Sequence, residues 1–226
     1  MALILSIETS TDVCSAALHE KGVLCAYTEI HIEKSHAKYI TVLIEQLFKQ
    51  TGHNIQSIDA VAVSKGPGSY TGLRIGVSTA KGICFALDKP LIGVSTLLSM
   101  AHGQAAFNTE KYFLAPMIDA RRMEVYTMLL DADLNVVEDV NAKIIDEHTY
   151  HELLQKNKII FFGNGSAKCK SLLQGQPNAL FVGGQYPSAK DVGQLAWESF
   201  QESKFEDVAY FEPYYLKDFI RFGKSA

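Results

Sequence analysis

The sequence predicts an α/β protein, on three observations. Residues 3–30 read as three strands joined by tight turns. Residues 60–87 read as a strand, a glycine-rich turn and a helix. Beyond that unit, strand-like and helix-like runs keep alternating.

Each element has its own signal. Leu3-Ile4-Leu5-Ser6-Ile7 is a buried strand, and Thr9-Ser10-Thr11-Asp12 is turn chemistry. Residues 13–18 form the returning strand, Lys21-Gly22 a second turn, and residues 23–30 a third strand. Tight turns of this kind make an antiparallel meander. Residues 35–50 have apolar positions at helical spacing (Ala37, Ile40, Ile44, Leu47, Phe48), with Gly52 as the stop. Residues 60–64 form a strand that feeds Lys65-Gly66-Pro67-Gly68-Ser69-Tyr70-Thr71-Gly72-Leu73-Arg74-Ile75-Gly76, and a helix runs on to Leu87. Asp88-Lys89-Pro90 closes that helix. Residues 91–94 form a short strand, and Ser95 caps a helix to about Gly103. The order βββαβαβα has an antiparallel start followed by parallel crossovers. Residues 104–110 are polar and irregular, and mark a boundary. Strands follow at 111–118, 123–130 and 159–162, and a capped amphipathic helix at 188–200. The aromatic tail Tyr210-Phe211-Glu212-Pro213-Tyr214-Tyr215-Leu216 lacks a helical period and is expected to pack extended on one domain.

Composition narrows the function classes. The 226 residues are 47% hydrophobic and 20% charged, the balance of a folded globular chain. With 21 basic and 25 acidic residues the net charge is −4, which does not suit a protein that grips nucleic acid alone. Cys14, Cys25, Cys84 and Cys169 show no CxxC spacing, so reduced, mostly buried thiols are expected. No apolar run reaches spanning length, and the apolar start meets Glu8 too soon for a signal peptide. The expectation is a cytoplasmic protein without a membrane role.

The glycine stretch admits two readings. It can cradle an anion on free backbone N–H groups at a helix N-terminus, or it can let helices approach closely. No Lys stands in the P-loop position, so it is not a Walker A loop. Gly72, Gly76 and Ala80 recur every four residues and form a ridge without side chains. A glycine inside a helix costs about 1 kcal/mol relative to Ala, which is tolerable where another backbone must come close. Ser69 or Thr71 is the N-cap, and Arg74 keeps an anion or nucleotide contact open. In the helix at 35–50 the apolar residues fill an arc of roughly 240°, more than one sheet face requires. Tyr39, Val42 and Leu43 are left surplus to the core and point to an external helical partner.

Ile7-Glu8-Thr9-Ser10, the stretch from Gly66 to Gly76, Gly93-Val94-Ser95-Thr96-Leu97, Asp119-Ala120-Arg121-Arg122 and Pro213-Tyr214-Tyr215-Leu216-Lys217 occur in this order. Together they resemble the TsaB (YeaZ) family of tRNA threonylcarbamoyladenosine biosynthesis proteins, from Ile4 to about Arg122 and again in the tail. The resemblance implies two ribonuclease-H-like lobes of the actin/Hsp70/sugar-kinase superfamily, the second reduced. The lobes are expected at 1–103, with the dimerisation helices, and at 104–226, with the tail. It also implies a non-catalytic scaffold subunit. Such a subunit supports threonylcarbamoyl transfer to N6 of the adenosine beside the anticodon, in tRNAs reading codons that begin with A. The implied partners are a TsaD-like catalytic paralogue and a TsaE-like ATPase, with a homodimer when the chain is isolated and tRNA met only through the complex. No cofactor is expected in this chain alone; ATP or ADP and a metal belong to the partner subunits.

The residues carry little catalytic signal of their own. The catalytic paralogue of the implied family holds a metal through an HxxxH pair, which this chain lacks. His148 and His151 lie beside Asp146, Glu147 and Glu152, a pattern read as a solvated helix face rather than a metal site. Glu8 or Asp12 can orient Mg²⁺, or Thr9, Ser10 and Asp12 can simply cap the first turn; turn capping is the favoured reading. Gly163-Asn164-Gly165-Ser166 reads as a plain turn ahead of a nucleotide loop, and no G-x-S-x-G elbow supports a peptidase. Arg121 and Arg122 either belong to a salt-bridged turn or face an anion. Two hypotheses remain: a binding subunit that presents the helices 35–50 and 71–87 as half of a four-helix bundle, and a small ATPase or kinase acting alone through Glu8, Asp12 and the glycine loops.

Overall fold

The computed structural model describes residues 2–217. Strands β1 (Leu3–Glu8), β2 (Val13–Glu20) and β3 (Val23–His31) form the expected antiparallel meander. Helix α1 (His36–Thr51) leads to β4 (Ala60–Gly66), α2 (Tyr70–Leu87) and β5 (Leu91–Ser95). β4 lies parallel to β1, and β5 parallel to β4, so the first sheet has the order β3-β2-β1-β4-β5. Both faces of its central strands are covered. Leu3, Leu5 and Ile7 point into one core with α1 and α2, while Ile4 joins Ala60, Ala62 and Ile92 on the other. This is the period of two expected of a strand, with apolar residues on both faces because helices cover both.

The second half repeats the plan. Helix α3 (Thr96–Ala105) precedes β6 (Phe113–Asp119), β7 (Glu124–Leu130) and β8 (Val136–Ile144). Then come α4 (His151–Leu154), β9 (Ile159–Phe162), α5 (Ser166–Leu173), β10 (Ala179–Val182) and α6 (Ala189–Gln201). The order β10-β9-β6-β7-β8 is the same meander with two parallel strands added. This lobe is reduced in its helices rather than its strands: α4 and α5 have 4 and 8 residues, against 16 and 18 in α1 and α2.

Two helices pack against a sheet outside the spans expected for the lobes, 1–103 and 104–226. α3 buries Leu97, Met100 and Ala101 against Leu114, Ile118 and Phe162 of the second sheet. α6 returns to the first sheet, where Val192 and Ala196 meet Ile4, Ala62 and Val94. The physical reason is coverage: each sheet needs an apolar layer on its inner face, and the connection between lobes supplies it by exchange. The approach of α6 is close. A Cβ at Gly193 would come within 2.1 Å of the buried His19 ring. The tail also stays on the first lobe, where Phe211 joins the core and the Glu206 N–H donates to the Leu91 carbonyl at 2.9 Å. Cys14, Cys84 and Cys169 are buried and Cys25 is exposed; all four are free thiols. Burial pushes the Cys14 thiol up to about 12 and the Cys84 thiol up to about 11, so neither is a reactive thiolate.

Candidate functional site

The glycine stretch is built around the first turn. Ser69 is the N-cap of α2, its hydroxyl accepting the Gly72 N–H at 3.3 Å. The Ser69 N–H donates to the Ser10 carbonyl at 2.7 Å, and Thr9 Oγ1 donates to the Gly72 carbonyl at 2.7 Å. A Cβ at Gly72 would stand 2.1 Å from the Thr9 carbonyl oxygen, and one at Gly76 would stand 2.3 Å from Thr9 Oγ1. Ala80 is fully buried. The ridge of Gly72, Gly76 and Ala80 therefore seats α2 on this chain's own β1–β2 turn and β4, and does not line a docking surface. The expectation that these residues meet a partner is corrected. The four-residue spacing does admit a close approach, but the backbone that comes close is this chain's own at Thr9.

Glu8 is fully buried at the end of β1. Its carboxylate accepts the Ser10 N–H at 2.5 Å and the Ser64 hydroxyl. Burial raises its pKa, and the hydrogen bonds from Ser10 and Ser64 oppose that rise. The turn is thus held by Glu8, Thr9 and Thr11, whose Oγ1 accepts the Val13 N–H at 3.4 Å. Asp12 is exposed, and among the described residues its carboxylate makes none of the capping hydrogen bonds expected of it. His36, the first residue of α1, ties the same turn by a 2.6 Å contact from Nε2 to the Thr11 carbonyl.

The outer faces of α1 and α2 stand side by side. Val42 is 40% exposed and Tyr39 half-buried, while Leu43 is only 4% exposed and belongs to the core. Leu43 was expected on the surplus face and Ala37 in the core; the structure reverses them, because α1 sits rotated toward β2 and β3. A groove of about 1050 Å³ runs between the two helices, lined by Ile44, Phe48, Gly82, Ile83 and Leu87 among others. Phe85 projects from α2 at 86% exposure. Sequence reasoning missed Phe85 because α2 was read for its glycines. Its position nine residues beyond Gly76 places it on the opposite helical face, which was the available signal.

Arg74 and Thr71 are exposed on α2. Arg74 Nε donates to the Tyr215 hydroxyl at 3.2 Å, and its guanidinium lies 4.1 Å from the centre of the Tyr70 ring, which itself meets the Tyr215 ring at a tilt of 39°. The cation expected to meet an anion is thus engaged by the tail. Lys81 reinforces the tail by donating to the carbonyls of Ala209 and Phe211 at 3.1 and 3.0 Å, and the Tyr214 N–H donates to the Lys65 carbonyl at 2.6 Å. At its end, Lys217 pairs with Glu124 of the second lobe.

In the turn at 119–122, Asp119 pairs with Lys168 at 2.6 Å and accepts the Arg121 N–H at 2.6 Å. Arg121 and Arg122, both at positive φ and exposed, enter no ion pair among the described residues, so the salt-bridged turn uses Asp119 without them. Asn164 of the 163–166 turn accepts the Asp119 N–H at 3.1 Å, which makes that turn a structural link between β6 and β9. Among the described residues no cluster of three or more His, Cys, Asp or Glu is arranged for a metal, and His151 instead contacts Gln155.

The sequence model described as "TsaD: tRNA N6-adenosine threonylcarbamoyltransferase" matches residues 29–221. The chain is also 33% identical to the Escherichia coli (strain K12) tRNA threonylcarbamoyladenosine biosynthesis protein TsaB, over 98% of its own length and 97% of that protein's. This chain belongs to the TsaB (YeaZ) family. A Pseudomonas aeruginosa structure described by its similarity to peptidase YEAZ superposes with a TM-score of 0.84 at 24% identity, over 96% of this chain and all of that one. The ADPNP-bound activator of the Clostridium difficile 2-hydroxyisocaproyl-CoA dehydratase superposes with a TM-score of 0.54 at 10% identity, over 89% of this chain and 97% of that one, and shares the two-lobed fold alone. Three of the five motifs fall together in space: the first turn, the glycine stretch and the Tyr214–Tyr215 segment form one contiguous assembly around the N-terminus of α2, while the 119–122 turn lies on the second sheet.

Proposed function

We propose that the chain is a non-catalytic partner subunit in threonylcarbamoyladenosine modification of tRNA, and that it docks a TsaD-like catalytic paralogue through the outer face of α1 and α2. The observation that carries this reading is the open apolar groove between those helices, together with Val42 and Phe85, which stand exposed on the same two helices outside its lining. A paralogue of the same fold offers an equivalent helix pair, and two pairs bury one another as a four-helix bundle. Without that partner the same face pairs two copies of this chain. A TsaE-like ATPase joins the complex, ATP or ADP and the metal reside in the partners, and tRNA is met only by the assembly.

Val42→Glu and Phe85→Glu test the docking face without entering the core. Both variants should fold, lose co-purification with the paralogue and lose the homodimer in light scattering. Retention of both complexes by both variants defeats the proposal. The supporting role is tested by reconstituting threonylcarbamoyl transfer with paralogue, ATPase and tRNA, with and without this chain.

The alternative, an ATPase acting alone, needs an available carboxylate. Glu8 is instead engaged by Ser10 and Ser64 inside the first turn. Calorimetry with Mg-ATP separates the readings: turnover by the isolated chain, abolished in Glu8→Gln, favours the enzyme.

A further inference from the structure

The tail divides into an anchored half and a lightly held half. Up to Phe211 it is firmly fixed. The Glu206 N–H donates to the Leu91 carbonyl at 2.9 Å, Lys81 holds the carbonyls of Ala209 and Phe211, and Phe211 itself joins the core. Beyond it, none of residues 212–217 is buried. They are held by the Tyr214 N–H on the Lys65 carbonyl at 2.6 Å, by Tyr215 on Arg74 and Tyr70, and by Lys217 on Glu124. The first two contacts belong to the first lobe and the third to the second. Gly66 makes room for this path, since a Cβ there would come within 2.7 Å of the Tyr214 carbonyl oxygen. A proline pushes the residue before it into extended backbone, so Glu212-Pro213 leaves Phe211 as the start of a short stiff arm.

That arm spans the lobes. Tyr215 and Lys217 are separated by about 7 Å of extended chain, so what lifts one lifts the other. Arg74 on α2 and Glu124 at the start of β7 are therefore gripped by one short segment. Both grips are weak. Arg74 is exposed, the Lys217 and Glu124 side chains are 45% and 20% exposed, and ion pairs near water contribute little and are screened by salt. The inner tie between the lobes is of another kind. α3 buries its apolar face against the second sheet, α6 packs on the first, and α3 and α6 touch. The lobes therefore stay joined when the arm is lifted. We propose that residues 212–217 are a releasable strap that sets the angle between the two lobes. Seated, it ties the end of β4 and α2 to β7. Lifted, it leaves Phe211 in place, lets the lobes turn about the α3–α6 contact, and frees Arg74 and Glu124 together. Any group that draws Tyr215 from Arg74 on the first lobe thus loosens the second. The strap is independent of the docking reading, because neither it nor the residues that hold it line the α1–α2 groove.

The test measures the distance between the lobes in the full chain by double electron–electron resonance. Spin labels sit on Val23→Cys of β3 and Ile144→Cys of β8, both exposed positions, in a Cys25→Ser background whose remaining thiols are buried. The labelled chain is diluted with unlabelled chain, so that only distances within one molecule are read. At low salt the parent should give one narrow distance. Lys217→Glu and Arg74→Ala should each shift or broaden it, and about 1 M salt should do the same to the parent. Both substitutions are at exposed positions, so the variants should fold. Arg74→Ala is the deciding variant, because Arg74 lies in the first lobe and reaches the second only through the strap. Glu124→Lys combined with Lys217→Glu should restore the parent distance. Exchange of the Tyr214 amide should quicken about 2- to 5-fold in Lys217→Glu, as loss of an exposed ion pair allows. A distance unmoved by Lys217→Glu and Arg74→Ala overturns the proposal even if the tail exchanges faster. A shift in Lys217→Glu alone overturns it as well, since Arg74 and Glu124 would then not be coupled.

Discussion

Thr9 Oγ1 donates to the carbonyl of Gly72 at 2.7 Å, and the same hydroxyl occupies the space where a Cβ on Gly76 would stand. One side chain at the end of β1 thus sets how closely α2 lies on the sheet. Together with the Thr9 carbonyl, which fills the space of a Cβ on Gly72, it explains why two glycines recur on a helix where each costs about 1 kcal/mol of propensity. Thr9→Val keeps the shape and removes the donor. We expect a loss of about 1 kcal/mol, read as a Tm lower by roughly 2–4 °C.

Gly76→Ala separates an internal seam from an external one. Its Cβ would collide with Thr9, so the variant should lose about 1–3 kcal/mol in urea unfolding. Phe85→Glu lies on the outer face of the same helix and should leave the unfolding midpoint within about 0.5 kcal/mol of wild type. A reversal of that order, with Gly76→Ala neutral and Phe85→Glu destabilising, would mean that α2 is seated differently.

Arg74 anchors the tail. Arg74→Ala removes both the Tyr215 hydrogen bond and the stack on Tyr70. The expected readout is faster hydrogen exchange and proteolysis across residues 206–217, with little change in global Tm, since the group is exposed. Unaltered protection of the tail would show that Lys81 and the Tyr214–Lys65 backbone bond hold it unaided.

Two buried groups give opposite pH trends. Burial pushes Asp191 up from 3.8 to about 6, with Glu29 and Glu8 adding to the rise and Lys190 opposing it. Its contribution is therefore complete below about pH 3.8 and lost as pH rises through about 6. Asp191→Asn should gain Tm over wild type at neutral pH, and the gain should shrink toward pH 4. His19 is pushed down from 6.5 to about 4 by burial under α6, so its contribution is present above 6.5 and lost as pH falls through about 4. His19→Gln should flatten the acid limb of the stability profile. Thermal scans of each single variant between those limits resolve the two slopes.

Much of the first lobe was legible because its signals are local. Period-two apolar runs, turn residues and a Ser at each helix entry placed β1 to β5 and α2 to within a few residues. β8 and β10 were not foreseen. β8 mixes Glu138, Asp139, Asn141 and Lys143 into a sheet edge where one face meets water, and β10 is only four residues long. The site was read less well than the fold. Leu43, Gly72, Gly76 and Ala80 were placed outward and lie inward, because helical spacing gives a face but not its direction. The pairing of Arg74 with Tyr215 spans 141 residues of chain, and no local pattern encodes such a contact.

The α/β class, the parallel crossovers, a hydroxyl cap at Ser69 or Thr71 and the family resemblance were legible in the chain itself, since each rests on neighbouring residues or on motifs in order. Only the tertiary structure decided which way the glycine ridge faces, that α3 and α6 exchange sheets, and that the tail reaches Glu124 of the second lobe. The physical reason is that orientation and juxtaposition depend on what each sheet face must bury, a condition set by residues distant in sequence.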